Sequence, residues 1–181
     1  MLDPKSAYFR YRVYYSKDGP ARFIGHLDLQ SLFSKALKRA GLPVAYSQGF
    51  NPHQLLSVAL PLPLGMAGFC ELFEIYLTTE VNITDMTKSL NEQMPQGLKI
   101  LEIQEVSALG KSAAALVHAA IYSIEFPGEI KYEATLDGII DIKILNTNCI
   151  EATLAAGSKK NLKPQIFAPG AIKHERKGLL L

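Results

Sequence analysis

The sequence predicts an α+β protein, and three observations predict it. A strictly alternating stretch lies near the N-terminus, the strongest amphipathic period of the chain follows it, and the strand and helix signals then succeed one another as βαββαβ. That order suits a ferredoxin-like domain over residues 1–106, four antiparallel strands with both helices on one face and the other face open. The remainder, 107–181, reads as a smaller β-rich C-terminal subdomain with the outline of an incomplete second α+β unit.

Residues 8–15, YFRYRVYY, place Phe9, Tyr11, Val13 and Tyr15 on one side of a strand and Tyr8, Arg10, Arg12 and Tyr14 on the other. Asp18-Gly19-Pro20 turns the chain. Leu29, Leu32, Phe33, Ala36, Leu37 and Ala40 then repeat at helical spacing. Asp28 suits the positive end of that helix, Lys35, Lys38 and Arg39 suit its negative end, and Gly41 with Pro43 closes it. After a polar loop, residues 55–65 read as a strand that Pro61 and Pro63 keep at a sheet edge. Residues 69–80 form its partner, with Phe69, Glu71, Phe73, Ile75 and Leu77 on one face. Thr84 is the expected cap of a second helix carrying Met86, Leu90 and Met94, which Pro95 and Gly97 end. LKILEIQEV, 98–106, is the fourth strand. Beyond it come a connector with a short helical turn at 107–118, a strand at 119–126, and a hairpin over 138–155 folded at Asn146-Thr147-Asn148. The tail has turn residues and basic charge but no clear period.

Composition narrows the class. The chain is 181 residues long, 48% hydrophobic and 20% charged, which is globular composition. No stretch approaches the roughly 18 consecutive apolar residues of a membrane span, and the first twelve residues lack a basic flank before an apolar core, so a cytoplasmic protein without membrane partners is expected. Cys70 and Cys149 are isolated and read as buried free thiols. Charge is segregated. Residues 1–60 carry eight Lys or Arg against three Asp or Glu, residues 61–150 five against twelve, and residues 151–181 six against two. Two basic ends around an acidic middle favour an anionic partner for the ends.

Three blocks carry a resemblance: FIGHLDL (23–29), ALKRAGLPVAYSQGFNPH (36–53) and ALPLPLG (59–65), with a second patch at LAAGSKKNLKP (154–164). Together they are similar to the radical-SAM-linked domain of unknown function, a bacterial domain fused to cobalamin-binding radical SAM proteins or standing alone. The resemblance implies a radical SAM protein as partner and suggests RNA as a ligand. One departure is local, because Gln54-Leu55 stands where that family usually has Pro-Lys, which removes an anion-binding lysine.

The chemistry-bearing residues fit a binding role better than a catalytic one. Radical SAM chemistry needs an iron–sulfur cluster on closely spaced cysteines, which two isolated cysteines do not supply, so no cofactor is expected on this chain. His26 and His53 are the candidates for acid–base work if a groove brings them together, the basis of an alternative reading as an RNA-processing or nucleotide-modifying enzyme. A third reading is a protein-docking module without nucleic acid. The leading expectation is an RNA-binding module contacting its ligand through Arg22, His26, Lys38, Arg39, Gln48, Asn51, His53 and Lys159. Tyr8, Arg10, Arg12 and Tyr14 would add cations and rings on the open sheet face, and Lys159, Lys160 and Lys163 a phosphate-gripping turn.

Overall fold

A computed structural model describes residues 7–181. The reading of the extreme N-terminus rests partly on residues 1–6, which lie outside the described residues. The chain forms β1 (Phe9–Lys17), α1 (His26–Arg39), β2 (Leu56–Val58), β3 (Ala67–Leu77), α2 (Ile83–Asn91), β4 (Leu98–Val106), α3 (Ala113–Leu116), β5 (Ala119–Glu125), β6 (Ile139–Ile144), β7 (Cys149–Ala155), α4 (Pro164–Phe167) and β8 (Lys173–Leu180). It is an α+β protein with one eight-stranded, mostly antiparallel sheet in the order β4-β1-β3-β8-β5-β7-β6, with β2 also on β3.

Strand β3 is the axis of the molecule. One edge pairs along its length with β1, from Phe9 against Leu77 to Lys17 against Gly68. The other edge is shared: β2 takes Phe73–Ile75, and β8 runs parallel to β3 at Ala67 and Gly68. Prolines explain the sharing. Pro61 and Pro63 lack the N–H that a ladder needs, so the strand expected over 55–65 shrinks to three residues and frees the start of β3 for β8.

Two cores follow. Under α1 and α2, the alternate residues Tyr11, Val13 and Tyr15 of β1 meet Phe73, Ile75 and Leu77 of β3 and the helix residues Leu29, Phe33, Leu37, Met86 and Leu90. Phe33 stacks on Phe73 at 4.3 Å, with Tyr15 edge-on to Phe33 at 5.0 Å. On the other side, Leu72 joins β5, β7, Ala113 and Val117 of the connector, and the 162–168 segment around Phe167.

That second core corrects the expectation of an open sheet face. Arg10 is 1% exposed, and it donates to the carbonyls of Ser107, Gly110 and Lys111, so the connector after β4 closes over it. Arg12 donates to Glu74 at 3.0 Å, and Tyr14 packs against the second core. The cap of α2 also differs. Asn82, not Thr84, accepts from the N–H groups of Thr84 and Asp85 at 2.9 and 3.2 Å. Met94 falls beyond that helix. Cys70 and Cys149 are half-buried free thiols.

Candidate functional site

Charge on β3 arises from two glutamates three residues apart, whose side chains leave opposite faces of the strand. Glu74 meets Arg10 at 2.6 Å and Arg12 at 3.0 Å. Glu71 meets the Arg176 guanidinium through both of its oxygens. Arg176 enters from β8, opposite Gly68, and also donates to the Leu60 carbonyl at 2.7 Å. Tyr122, its partner position on β5, lies against the same guanidinium. Lys17 is the second cation near Glu71. It is 1% exposed, donates to the Ile24 carbonyl at 2.7 Å, and burial pushes its pKa down. Gly68 makes room, since a Cβ there would lie 2.5 Å from the Glu71 Oε1.

Two adjoining cavities open above this buried group, and Gln165 lines both. The inner one, about 200 Å³, has Arg176 and Tyr122 in its wall, with Asn161, Lys163 and Pro61 around them. The outer one, about 330 Å³, is bordered by Arg22, Phe23, Leu64, Ile172, Lys173 and His174. The Arg22 guanidinium sits 5.0 Å from the centre of the exposed Phe23 ring, a cation–π arrangement. The His174 Nε2 lies 3.3 Å from the Ala168 carbonyl, which can accept its proton, and burial pushes its pKa down. Segments 22–23, 60–66 and 161–165 thus come together from three distant blocks of sequence, and β8 supplies the fourth side.

The residues singled out in the sequence do not form one groove. Arg22 borders the outer cavity. His26 opens α1, while Lys38 near its other end lies 6.0 Å from the Tyr46 ring. Tyr46 bridges to Gln54, and Ser47 holds His53 through Oγ and Nδ1 at 2.8 Å. Twelve residue steps of helix, about 18 Å, separate His26 from Lys38, so the loop that carries Tyr46 and His53 meets α1 at the end away from His26. Arg39 is taken by Gln93, to which it donates at 3.0 and 3.3 Å, tying α1 to the end of α2. Gln48 and Asn51 are exposed on the loop whose tip is the fully exposed Phe50. Lys159 lines a separate cavity of about 190 Å³ with His118 and Lys160, and Lys160 is paired with Asp137.

Sequence reasoning missed Arg176, Tyr122, Asn161, Gln165 and Lys173. The only signal was Lys163 beside Pro164 in the basic patch. No group of three or more His, Cys, Asp or Glu side chains comes together to hold a metal ion among the described residues. None of the described helices is long and apolar enough to cross a membrane.

An α+β chain with a central buried ion pair and a two-chambered polar groove defines the class of structure. Residues 10–169 match the model of a family described as an uncharacterized protein conserved in bacteria (DUF2344), and the chain belongs to that family. A comparison with curated proteins finds no match.

Proposed function

We propose that the chain is a binding module, not a catalyst, that presents RNA or an RNA-linked substrate to a radical SAM partner in the bacterial cytoplasm. One observation carries the reading: Arg22, Lys163 and Lys173 border adjoining cavities whose rim includes the exposed Phe23 ring. Cations for phosphates beside a ring for base stacking are what single-stranded RNA requires. The partner enters through the resemblance of the FIGHLDL, ALPLPLG and GSKKNLKP segments to radical-SAM-linked domains. The covered face of β1 moves the expected contact surface from Arg10 and Arg12 to this groove, and the separation of His26 from His53 leaves paired acid–base catalysis without support.

The architecture that carries the groove is, in this reading, a ferredoxin-like unit over residues 1–106 with a β-rich subdomain over 107–181. The pairing of β4 with β1, β1 with β3 and β3 with β2 supports the first unit, and the two separate cores support the division. The groove lies where the two meet.

The test is binding of a fluorescently labelled single-stranded RNA, read by anisotropy at low and moderate salt. Affinity is expected to fall steeply with salt, because each neutralised phosphate releases counterions. Arg22→Ala and Lys173→Ala are expected to weaken it several-fold, and Lys159→Ala to weaken it if the RNA extends to the neighbouring cavity. Absence of binding at low salt overturns the RNA reading. A specific observation favours one other reading, protein docking without nucleic acid: Phe23, Leu64 and Ile172 are exposed apolar side chains on the same rim. Capture of the radical SAM partner by the RNA-free protein, lost on Phe23→Ser, would support docking instead.

A further inference from the structure

The inner cavity has a chemistry of its own. Arg176, Lys163, Asn161, Gln165 and Tyr122 all bring hydrogen-bond donors to its wall, and no carboxylate lines it among the described residues. The nearest carboxylate, Glu71, lies behind Arg176 and has both oxygens engaged by that guanidinium. The guanidinium also donates to the Leu60 carbonyl at 2.7 Å and bonds Tyr122, and its Nη1 has the Pro61 carbonyl at 3.5 Å, the limit of a hydrogen bond.

Charge also favours an anion. Lys17 and Arg176 face the single negative charge of Glu71, and Lys163 adds a cation at the mouth. Arg176 is neutralised by Glu71, so the buried Lys17 and the exposed Lys163 leave the surroundings of the cavity net cationic, which favours an anion, and a phosphomonoester dianion more than a singly charged carboxylate. A volume of about 200 Å³ admits a phosphate with a sugar-sized group attached. Leu60, Pro61 and Leu62 form the apolar side against which such a group would lie.

We infer that this cavity is a phosphomonoester site, in which Arg176 and Lys163 hold the phosphate charge and Asn161, Gln165 and Tyr122 orient its oxygens. The phosphate belongs to a free mononucleotide or sugar phosphate, or to the terminal phosphate of an RNA strand; an internal phosphodiester, with a single charge, suits the cationic surroundings less well. The inference deepens the binding reading of the groove but stands on the inner cavity alone, so it does not need RNA or a radical SAM partner.

The experiment is calorimetric titration of the full chain with inorganic phosphate at constant ionic strength, chloride and acetate serving as matched anions. Saturable one-site binding is expected for phosphate, with acetate at least tenfold weaker. Lys163→Ala and Asn161→Ala change exposed side chains and leave Glu71 paired, so the variants fold, and each is expected to weaken phosphate at least fivefold. Lys88→Ala, which removes an exposed cation of α2 that lines neither cavity, is expected to leave phosphate binding within twofold. Phosphate binding no better than chloride, or binding that Lys163→Ala and Asn161→Ala leave intact, overturns the site. Adenosine monophosphate and short RNA strands with 5′-phosphate, 3′-phosphate or hydroxyl ends then distinguish the sources. A preference for a phosphorylated end over a hydroxyl end identifies the strand terminus, and competition by the mononucleotide without an end preference identifies the free ligand. If phosphate binds while no RNA does, the RNA reading fails and the phosphomonoester site stands.

Discussion

The two glutamates of β3 invite comparison, because each is buried beside two cations, and the cavities that adjoin the two groups have different walls. Glu74 holds Arg10 and Arg12, and the Nη1 and Nη2 groups of Arg10 also donate to three backbone carbonyls of the connector, while its buried Nε has no partner among the described residues. That group is a clamp, which fixes 107–111 over the sheet. Glu71 holds Arg176 beside Lys17, while Arg176 also forms part of a cavity wall rich in donors. The difference teaches that burial of a charged pair does not by itself mark a functional site. What separates the two is the wall of the adjoining cavity: the one beside Arg10, about 510 Å³, includes the carboxylate residue Glu105, whereas the one beside Arg176 carries Lys163 and no carboxylate among the described residues.

The largest expected effect breaks both groups equally. Removing one partner of a buried pair leaves a charge uncompensated, which costs about 3–5 kcal/mol, so Glu71→Ala and Glu74→Ala should each lower the urea midpoint strongly. The comparison then separates them. Replacing both partners, as in Glu71→Leu with Arg176→Met, should recover much of that loss, because apolar residues of similar volume substitute for a buried pair. Arg10→Met with Glu74→Leu should recover less, since the carbonyls of Ser107, Gly110 and Lys111 would lose their donors. Hydrogen exchange in 107–112 should rise in the Glu74 variants and stay unchanged in the Glu71 variants.

A smaller effect comes from the glycine beside each group. A Cβ on Gly68 would lie 2.5 Å from the Glu71 Oε1 and 2.7 Å from its Cγ, both fully buried, so Gly68→Ala forces the carboxylate aside and should cost about 1–3 kcal/mol. Gly110 sits beside the clamp. Its Cβ would meet the Ser107 carbonyl at 3.4 Å and the Arg10 Nη1 at 3.7 Å, near ordinary contact, so Gly110→Ala should stay within about 0.5 kcal/mol of the natural protein. Chemical denaturation of the two variants checks the pair directly, and equal losses would mean that the Glu71 group is no more tightly packed than the clamp.

Much of the fold is legible in the sequence where burial follows hydropathy. The alternation of 8–15, the period of Leu29 to Ala40 and the run 98–106 correspond to β1, α1 and β4. The hairpin at Asn146-Thr147-Asn148 joins β6 and β7. Legibility fails where a charge is the buried residue. In β8 the side chain that enters the interior is Arg176, flanked by exposed Lys173 and Lys177, so the strand shows no apolar alternation. The open face of β1 failed for the same reason: Arg10 and Arg12 read as solvent-facing until Glu74 and the connector carbonyls supply their partners. The site was legible only in pieces. Arg22 and Lys163 belong to basic stretches that composition reveals, whereas Asn161, Gln165 and Tyr122 matter only through the register that places β8 between β3 and β5. The loop 46–53 is the reverse case, conspicuous in sequence and pinched shut at its base by Ser47 and His53, with both polar atoms of the 8% exposed Gln54 unpaired beneath it among the described residues.

The smallest effect distinguishes the two charge groups by pH. The clamp is built from two arginines and a glutamate and contains no histidine. The groove contains His174, whose pKa burial pushes below the ordinary value of 6.5. A base with a depressed folded pKa binds protons more readily when unfolded. Its contribution to stability is therefore present above pH 6.5 and is lost as pH falls through the folded value. Stability should decline from pH 7.5 towards pH 5.5 in a phosphate-free buffer, and the decline should be shallower in His174→Gln. The difference between natural and variant slopes reports His174, the one histidine on that rim among the described residues. The same substitution in a protein already carrying Arg10→Met and Glu74→Leu should change the slope by the same amount, because the clamp lies away from His174 and shares no hydrogen bond with it. A slope that changes with the clamp would show that the two groups on β3 are coupled through the strand.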